Sequence, residues 1–388
     1  MAAFLGLTPQ ATCLGSFGAT HLPSPWPSVK VRARPCPTPS PPPHLLVMRT
    51  ITYEEIRSLV RLEDVIEPVA AAFKSYSRGQ ANIPPVQHLE MPQRKRGALH
   101  IKTGHLEPFD FCLVKVASTF PENTRRVPPS PSINGVIMIF SALDGEPLAV
   151  LEDRAWITQL RTAAAGAVAA RALARSGAAT LGVFGSGTQA RLQTEAILHV
   201  APGIRRVLFW GRTPEHARNL AAGLQAARPD LAVEAMSHPE EVARAADILV
   251  TTTYAGEPIV RGEWLQEGVL AIAMGADSIH KRELDPEAIL QADKVYVDSR
   301  SQNEILAEVG HGIRTGLWDA SRIDAELGEV LLAADEGHPG RGTDRERIVC
   351  KLTGVAVQEI FVCDYVLKAF GVAVGEPALA GMAAGVAS

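Results

Sequence analysis

The chain has 388 residues, of which 46% are hydrophobic and 21% charged, with a net charge of −4. This length exceeds what a single compact core usually takes, so we expect two lobes. The balance of charge gives no basic surface for nucleic acid or an anionic membrane, and no apolar run approaches the length of a bilayer span. We therefore expect neither nucleic acid nor a membrane among its partners.

The cysteines are scattered, odd in number and never in a C-x-x-C pair. They are Cys13, Cys36, Cys112, Cys350 and Cys363. Such spacing predicts neither a metal site nor a disulfide framework. It favours a reducing compartment, which we take to be the cytoplasm.

Residues 1–47 differ from the rest, because they are rich in Pro, Ser and Thr and contain no acidic residue. Such a segment buries too little apolar surface to offset its ordering entropy. We expect a disordered tail, or a start site placed too early, with Met48 as the natural beginning. A targeting segment is the weaker interpretation, since no amphipathic face or cleavage pattern is convincing.

A β-rich lobe follows two helices. Thr52 and Glu55 form a capping-box pattern that begins a helix through Leu59, and Val65–Tyr76 predicts another. Residues 83–151 then divide at Pro, Gly and Asn into short strands. These are Val86–Glu90, Ala98–Lys102, Leu113–Ala117, Gly135–Phe140 and Leu148–Leu151, with a hairpin signal at Asp144-Gly145. The alanine-rich stretch Ile157–Leu173 predicts the next helix.

The stretch Thr180–Ala190 has the pattern of a dinucleotide-binding turn, with the glycines and alanine of G-x-G-x-x-A at positions 185, 187 and 190. Leu181–Phe184 predicts a buried strand, and Gln189–Val200 has helical spacing. Gly185 would make the tight turn, and Gly187 would let the backbone approach a pyrophosphate at the helix N-terminus.

The residues after the second strand indicate which dinucleotide binds. The strand Arg205–Trp210 ends where this fold reads the adenosine ribose, and Arg212 and Thr213 stand there with no acid before Glu215. An acid would bind the 2′-hydroxyl of NAD, whereas an arginine suits the 2′-phosphate of NADP. We expect NADP, with NAD as the alternative; the simpler interpretation of Arg212 is a solvated residue in an ordinary turn.

Further strands and helices alternate, which predicts a Rossmann-type, doubly wound parallel sheet. The segments are the helix Glu215–Ala227 and the strands Leu231–Ala235, Asp247–Thr253, Val269–Met274 and Lys294–Val297, the last of which we expect to end the sheet. Helices are predicted at Glu304–Gly310, Ile323–Ala334 and Ile348–Phe370. The last helix should return to the first lobe, so the prediction is a Rossmann domain at 161–314, a discontinuous β-rich domain at 48–160 and 315–372, and a loose tail at 373–388.

Charged residues in apolar surroundings mark candidate chemistry. Lys115 interrupts a strand pattern, Arg161 precedes an alanine-rich helix, and Asp277 follows a buried strand, where ligands bind in open α/β sheets. Each has a simpler interpretation. Lys115 could face outward from its strand, Arg161 could be a solvated helix residue, and Asp277 could cap a helix beginning near His280–Leu284.

Several segments together resemble the ornithine cyclodeaminase/mu-crystallin family over roughly residues 50–370. They are LVKVASTFPEN (113–123), ITQLRTAAAGAVAA (157–170), GSGTQA (185–190), GRTPEHA (211–217) and AMGADSIHKRELDP (273–286). The resemblance implies a homodimer in which the β-rich lobe supplies the interface and the substrate pocket. Family members move a hydride between a nicotinamide and the α-carbon of an amino or imino acid.

The resemblance also assigns roles to residues. Lys115 matches the active-site lysine, Arg161 the arginine that pairs with the substrate carboxylate, and Asp277 the acid that handles the proton of the substrate nitrogen or of water. The cofactor side comprises Thr162, Gly185, Gly187, Thr188, Gln189, Arg212, Thr213 and Thr251. No metal ligands are implied.

Two segments depart from the family pattern. Many relatives carry an arginine after a proline where this chain has Pro84-Pro85-Val86-Gln87-His88. Lys102 on the neighbouring strand would share the carboxylate binding, unless it is merely an exposed lysine. Many relatives also have an aspartate after G-x-A, where this chain continues from Gly354 to Glu359. The missing arginine argues mildly against ornithine as substrate.

The leading hypothesis is an NADPH-dependent reductase of an imino acid, either a ketimine or a cyclic imine such as pyrroline-2-carboxylate. One alternative is ornithine cyclodeaminase, which forms proline and ammonia and recycles its NAD. Another is a crystallin-like protein that binds NADPH without turnover.

Overall fold

The computed structural model describes residues 48–91, 97–120, 122–123, 126–128 and 130–374. The predictions for residues 1–47, and for the tail from residue 375 onward, lie outside the described residues. Among the described helices, none combines the length and the apolar character that a bilayer span requires.

The first lobe is built on a mixed sheet. Its described strands are β1 (Arg49–Ile51), β2 (Ala81–Asn82), β3 (Gln87–Met91), β4 (Gly97–Leu106), β5 (Phe111–Thr119), β6 (Ile133–Ser141) and β7 (Pro147–Leu151). Strands β3 to β7 pair antiparallel in sequence order, while β1 runs parallel to β7 and β2 antiparallel to β4. The predicted strands and the hairpin at Asp144-Gly145 are therefore confirmed.

Three helices belong to this part of the chain: α1 (Tyr53–Leu59), α2 (Ile66–Ser77) and α3 (Trp156–Leu173). The capping box is confirmed, because the Thr52 side chain accepts from the Glu55 amide and the Glu55 carboxylate accepts from the Thr52 amide. A short 3-10 helix, Glu63–Val65, leads into α2. Helix α3 is buried along most of its length, since its alanines allow close packing against neighbouring elements.

The second sheet is parallel throughout its described strands. These are β8 (Thr180–Phe184), β9 (Arg206–Trp210), β10 (Ala232–Ala235), β11 (Ile248–Thr251), β12 (Leu270–Ala273), β13 (Lys294–Val297), β14 (Ala325–Glu326) and β15 (Ile348–Lys351). Their order across the sheet is β10-β9-β8-β11-β12-β15-β13-β14. The predicted doubly wound parallel sheet is confirmed. The chain leaves β8 in one direction and β11 in the other, so a crevice opens between their carboxyl ends.

The helices that connect and follow these strands are α4 (Thr188–Val200), α5 (Pro214–Ala227), α6 (Pro239–Ala245), α7 (Pro286–Leu290), α8 (Arg300–Asn303), α9 (Ala307–Thr315), α10 (Leu327–Asp335) and α11 (Val357–Ala369). Two further 3-10 helices lie at Gly262–Trp264 and Ala320–Arg322. The predicted helix Glu304–Gly310 is helical only from Ala307, because the chain turns between α8 and α9, and Ala307 has a φ of 53°.

Two predictions for the last part of the chain are wrong. Lys294–Val297 does not end the sheet, and Ile348–Phe370 is not one helix, because β15 inserts between β12 and β13 before α11 begins. A run of four buried residues fits a strand and a helix equally well, so periodicity alone could not separate them. The break comes at Gly354, whose φ of 89° neither element accommodates.

Helix α11 packs against α2, α3 and β4, as a return to the first lobe requires. Strands β14 and β15, however, lie inside the segment 315–372 that the sequence assigned to that lobe, and they pair within the parallel sheet. The segment thus contributes to both sheets. The exact limits of the two domains stay a prediction.

Candidate active site

A cavity of about 340 Å³ lies at the carboxyl ends of β8, β9 and β11. It is lined by Gly185, Ser186, Trp210, Gly211, Arg212, Thr213, His216, Thr252, Thr253, Tyr254, Ala255 and Ile259. This position is the crevice in which open α/β sheets bind dinucleotides. None of the lining residues is acidic.

The glycine turn has the geometry that a dinucleotide needs. Gly185 has a φ of 127°, and a Cβ there would collide with the side chain of Thr252. A Cβ at Gly187 would meet no described heavy atom within 4 Å, so a ligand can approach its backbone closely. Thr188 begins α4 directly afterwards, and the free amides of that helix N-terminus lie beside the turn.

Arg212 and Thr213 lie in the wall of the cavity, as predicted for residues that contact the adenosine ribose. Both are exposed, and Thr213 precedes Pro214, the first residue of α5. Arg212 forms no hydrogen bond or ion pair with another residue of the described chain. Its guanidinium therefore has all its donors available for an anionic ligand.

Two of the predicted cofactor residues lie between α3 and α4 instead of in the cavity wall. The Gln189 amide donates to Gln159 Oε1 at 2.6 Å and to its backbone carbonyl at 3.0 Å. The Thr162 hydroxyl donates to the carbonyl of Thr158 at 2.7 Å. The Gln189 bonds connect α4 to α3, whereas the Thr162 bond lies within α3. A contact with cofactor stays a prediction for both residues.

Thr251 is fully buried and does not line the cavity. Its hydroxyl donates to Glu283 Oε2 at 2.7 Å. The threonines that face the cavity are the next two, Thr252 and Thr253. The sequence marked the correct strand end but could not fix which of three consecutive threonines points toward the ligand.

Lys115 and Arg161 meet at a carboxylate to which the sequence assigned no role. Both form ion pairs with Glu359 Oε1 from α11, and the Arg161 Nε distance is 2.8 Å. Arg161 Nη1 also donates to Gln358 Oε1 at 3.0 Å, and Lys115 Nζ donates to the Thr158 hydroxyl at 3.2 Å. Lys115 and Arg161 are buried, so the interpretations of an outward-facing lysine and a solvated arginine are wrong.

The charges at this junction determine its ionisation. Burial alone would raise the pKa of Glu359, but Arg161 and Lys115 outweigh it and lower the pKa to about 2. Burial lowers the pKa of Lys115, and Glu359 opposes that shift. Glu359 Oε2 is buried and has no hydrogen-bond partner among the described residues. Glu359 thus stays a carboxylate that orients both cations.

Lys102 lies beside this junction, opposite Lys115 in the register of β4 and β5. It is half-buried, so the interpretation of an exposed lysine is wrong. Its ammonium donates to the carbonyl of Gly354 at 3.1 Å, and no described carboxylate forms an ion pair with it. Burial, followed by repulsion from Lys115 and Arg161, lowers its pKa to about 8.

Asp277 follows β12 and is bonded to Lys281 Nζ at 2.7 Å. Partial desolvation would raise the pKa of Asp277, but Lys281 and then Lys102 outweigh it and lower the pKa. The interpretation of Asp277 as a helix cap is wrong, because no helix begins at 280–284. The nearby cap is Asp285, which accepts from the Ala288 amide at the start of α7.

Lys102 connects the two halves of the candidate site. The charges of Lys115, Arg161, Glu359 and Asp277 all act on its pKa. A small anion at Lys102 would therefore be near both the cationic junction and the carboxylate of Asp277. This arrangement can bind the carboxylate of a substrate and place an adjacent nitrogen near Asp277.

Known proteins resemble this chain in sequence and in fold. The sequence profile of the ornithine cyclodeaminase/mu-crystallin family matches residues 47–370, which confirms the resemblance found from the motifs. The Δ1-pyrroline-2-carboxylate reductase of Bacillus cereus is 35% identical over 326 residues, 83% of this chain and 96% of that protein.

Solved structures are similar over the same extent. The Thermococcus litoralis Δ1-pyrroline-2-carboxylate reductase in complex with NADH and L-proline has a TM-score of 0.76 and 29% identity, covering 85% of this chain and 100% of that one. An archaeal alanine dehydrogenase dimer with bound NAD has a TM-score of 0.74 and 32% identity, covering 85% of this chain and 98% of that one.

Proposed function

The chain belongs to the ornithine cyclodeaminase/mu-crystallin family, and we propose that it is an NADPH-dependent reductase of α-imino acids. The observation that carries this proposal is Lys102, a half-buried ammonium without an ion-pair partner, placed among Lys115, Arg161 and Asp277. A cation in such a position favours an anionic ligand, and the neighbouring acid suits a ligand whose nitrogen is protonated.

The substrate carboxylate would bind between Lys102 and Arg161. Glu359 and Gln358 accept from Nε and Nη1 of Arg161, which leaves further guanidinium N–H groups for the carboxylate. Glu359 fixes the plane of the guanidinium, and the ammonium of Lys102 adds a second charge-assisted bond. Lys115 lies next to this pair and contributes positive charge around the reacting carbon.

Asp277 would stabilise the protonated imine. Its lowered pKa keeps it ionised at neutral pH, so it pairs with the positive charge on the nitrogen. The bound nicotinamide supplies the hydride, which adds to the electrophilic carbon of that iminium and leaves an amine. The chain's own residues hold the carboxylate and the nitrogen of the substrate. They would thereby orient the imine carbon toward the nicotinamide.

The cofactor proposed is NADPH, because Arg212 and Thr213 line a cavity that contains no acidic side chain. Replacement of Arg212 by alanine is expected to raise the Kd for NADPH by about 10- to 100-fold, since a charge-assisted bond to a phosphate is lost. The Kd for NADH should change by less than about 3-fold, because NADH has no 2′-phosphate. Fluorescence titration of both cofactors measures this, and an equal loss for the two would contradict it.

The titration of Lys102 predicts how kcat/KM depends on pH. With its pKa lowered to about 8, Lys102 is charged below that pH and loses its charge above it. We expect kcat/KM for an anionic imino acid to fall as the pH rises through about 8, mainly through KM. The variant Lys102→Met should lose this limb, whereas any titration of the substrate itself would persist. An unchanged limb in the variant would contradict the role of Lys102.

A homodimer is also proposed. One face of the first sheet is buried, whereas the other carries apolar side chains that are only half-buried: Val114, Val116, Val136, Met138 and Val150. A continuous apolar face of this kind suits an interface between protein chains. Light scattering should give twice the mass of one chain, and a monomer at micromolar concentration would contradict the proposal.

Ornithine cyclodeaminase is the enzymatic alternative. Incubation with ornithine and catalytic NAD would yield proline and ammonia if the chain had that activity. We expect NADPH consumption with imino acids and no proline from ornithine. Proline formed without net NADPH consumption would overturn the reductase proposal, and NADPH binding without turnover across a panel of imino acids would favour a binding protein.

A further inference from the structure

We propose that Glu283 is a positioning residue, whose buried carboxylate holds together two strand-end loops: the one after β11, which lines the cofactor cavity, and the one after β12, which carries Asp277. The structural part of this inference concerns the protein without ligands. Only its effect on turnover rests on the proposed function.

Glu283 is completely buried, and it accepts hydrogen bonds from both loops. After β11, the Thr251 hydroxyl donates at 2.7 Å, and Thr253 donates with its amide at 2.5 Å and its hydroxyl at 2.8 Å. After β12, the amides of Gly275 and Ala276 donate at 2.7 Å and 3.2 Å. One side chain therefore satisfies five donors from two different loops.

These loops carry the residues of the candidate site. Thr253 lines the cavity, and Ala276 directly precedes Asp277. A displacement of either loop would change the distance between Asp277 and a ligand in the cavity. Through its five hydrogen bonds, Glu283 thus couples the position of the cavity wall to the position of Asp277.

The bonding pattern fits an ionised carboxylate, because three partners are backbone amides, which can only donate, and the two hydroxyls can donate as well. Burial raises the pKa of Glu283, Lys351 opposes this, and Glu308 adds to it. Lys351 is fully buried and forms an ion pair with Glu308 Oε2 at 3.1 Å. Glu308 Oε1 in turn accepts from the amide of Glu283 at 2.5 Å. The net shift of the pKa of Glu283 is upward, and Lys351 is the nearby cation that limits it.

A stabilising role alone gives a poor account of this arrangement. Burying three charged groups costs much of the free energy that their mutual attraction supplies, so the charges themselves add little net stability. An apolar cluster, however, could not satisfy five donors from two loops. The geometry therefore indicates that the buried carboxylate serves to fix the positions of the loops after β11 and β12.

The test uses Glu283→Gln, which keeps the shape but turns an acceptor into an NH₂ group that faces N–H donors. Hydrogen exchange is followed by mass spectrometry on the full chain without cofactor. We expect amides in peptides covering 251–256 and 273–278 to exchange about 10- to 100-fold faster, because charge-assisted bonds are lost. Peptides at the glycine turn, 184–190, should be unchanged. Glu263→Gln, an exposed glutamate in the same lobe, is the matched control.

The kinetic readout separates positioning from stability. In Glu283→Gln, kcat with an imino acid should fall about 10- to 100-fold, while KM and the Kd for NADPH change by less than about 3-fold. Faster exchange over the whole sheet, with an unchanged kcat for the folded protein, would overturn the proposal. If no imino acid is a substrate at all, the exchange result still decides the structural part.

A milder variant tests the same proposal if Glu283→Gln fails to fold. Thr251→Val removes one donor to Glu283, keeps the volume and leaves the buried charges intact. We expect exchange about 3- to 10-fold faster in 251–256, with the Kd for NADPH unchanged. Exchange identical to that of the wild type in this variant, with all of its loop amides still protected, would overturn the proposal.

Discussion

Replacement of Asp277 by asparagine is expected to lower kcat by about 10²- to 10⁴-fold, the range that a positioned acid or base contributes. Asparagine keeps the size of the side chain but has no negative charge to pair with a protonated imine. The Kd for NADPH should stay within about 3-fold of the wild-type value, because Asp277 is not among the residues that line the cavity. Steady-state kinetics and cofactor titration measure both quantities.

The matched control is Asp285→Asn. Asp285 lies in the same segment but caps α7, and asparagine caps a helix about as well as aspartate does. We expect this variant to retain wild-type kcat within about 2-fold. If Asp277→Asn also retained full activity, or lost NADPH binding together with activity, the role assigned to Asp277 would be wrong.

Replacement of Arg161 by lysine is expected to lower kcat/KM by about 10²- to 10³-fold, because two charge-assisted bonds to a carboxylate are each worth about 1.5–3 kcal/mol. Lysine keeps the charge beside Glu359, so the buried carboxylate is not left without a cation. Most of the loss should appear in KM. The loss in kcat/KM is measured with substrates that carry the α-carboxylate. The same measurement is made with analogues in which this carboxylate is replaced by an amide.

The control for Arg161 is Arg171→Lys, on the same helix. Arg171 pairs at the surface with Glu67, where an ion pair contributes little. Its kinetics should equal those of the wild type. An Arg161→Lys enzyme that discriminates between acid and amide substrates as strongly as the wild type does would contradict the proposed carboxylate site.

Much of the fold could be predicted from the sequence, because alternating strands and helices specify a parallel sheet and each short apolar run between turn residues had its own boundaries. The exception was Ile348–Lys351, which pairs between two earlier strands. Its place in the sheet depends on contacts with distant segments, and these leave no periodic signal in a run of four residues.

The candidate site was predictable where a charge interrupted an apolar pattern. Lys115, Arg161 and Asp277 were found in this way. Glu359 has the same signature, an acid on a buried face of α11, but its partner Arg161 is 198 residues away in the chain. Because only the tertiary fold brings the two together, the sequence noted this position as a departure from the family without a role.

Glu283 and Lys351 escaped the sequence analysis for a related reason. A glutamate in the run KRELDP and a lysine at the end of IVCK resemble ordinary surface residues. Both are nevertheless fully buried in the folded chain. Thr251 was assigned to the cofactor, since the sequence could not reveal the buried carboxylate that accepts its hydroxyl.

The most direct measurement for the central claim is the fate of the transferred hydrogen. The purified protein is incubated with an α-imino acid and NADPH that carries deuterium at C4 of the nicotinamide, and the amino acid product is analysed by mass spectrometry. The proposed mechanism predicts one deuterium per product molecule, located on the α-carbon, and much slower formation of this product by Asp277→Asn. A product without deuterium at the α-carbon, or no product from any imino acid while NADPH binds, would contradict it.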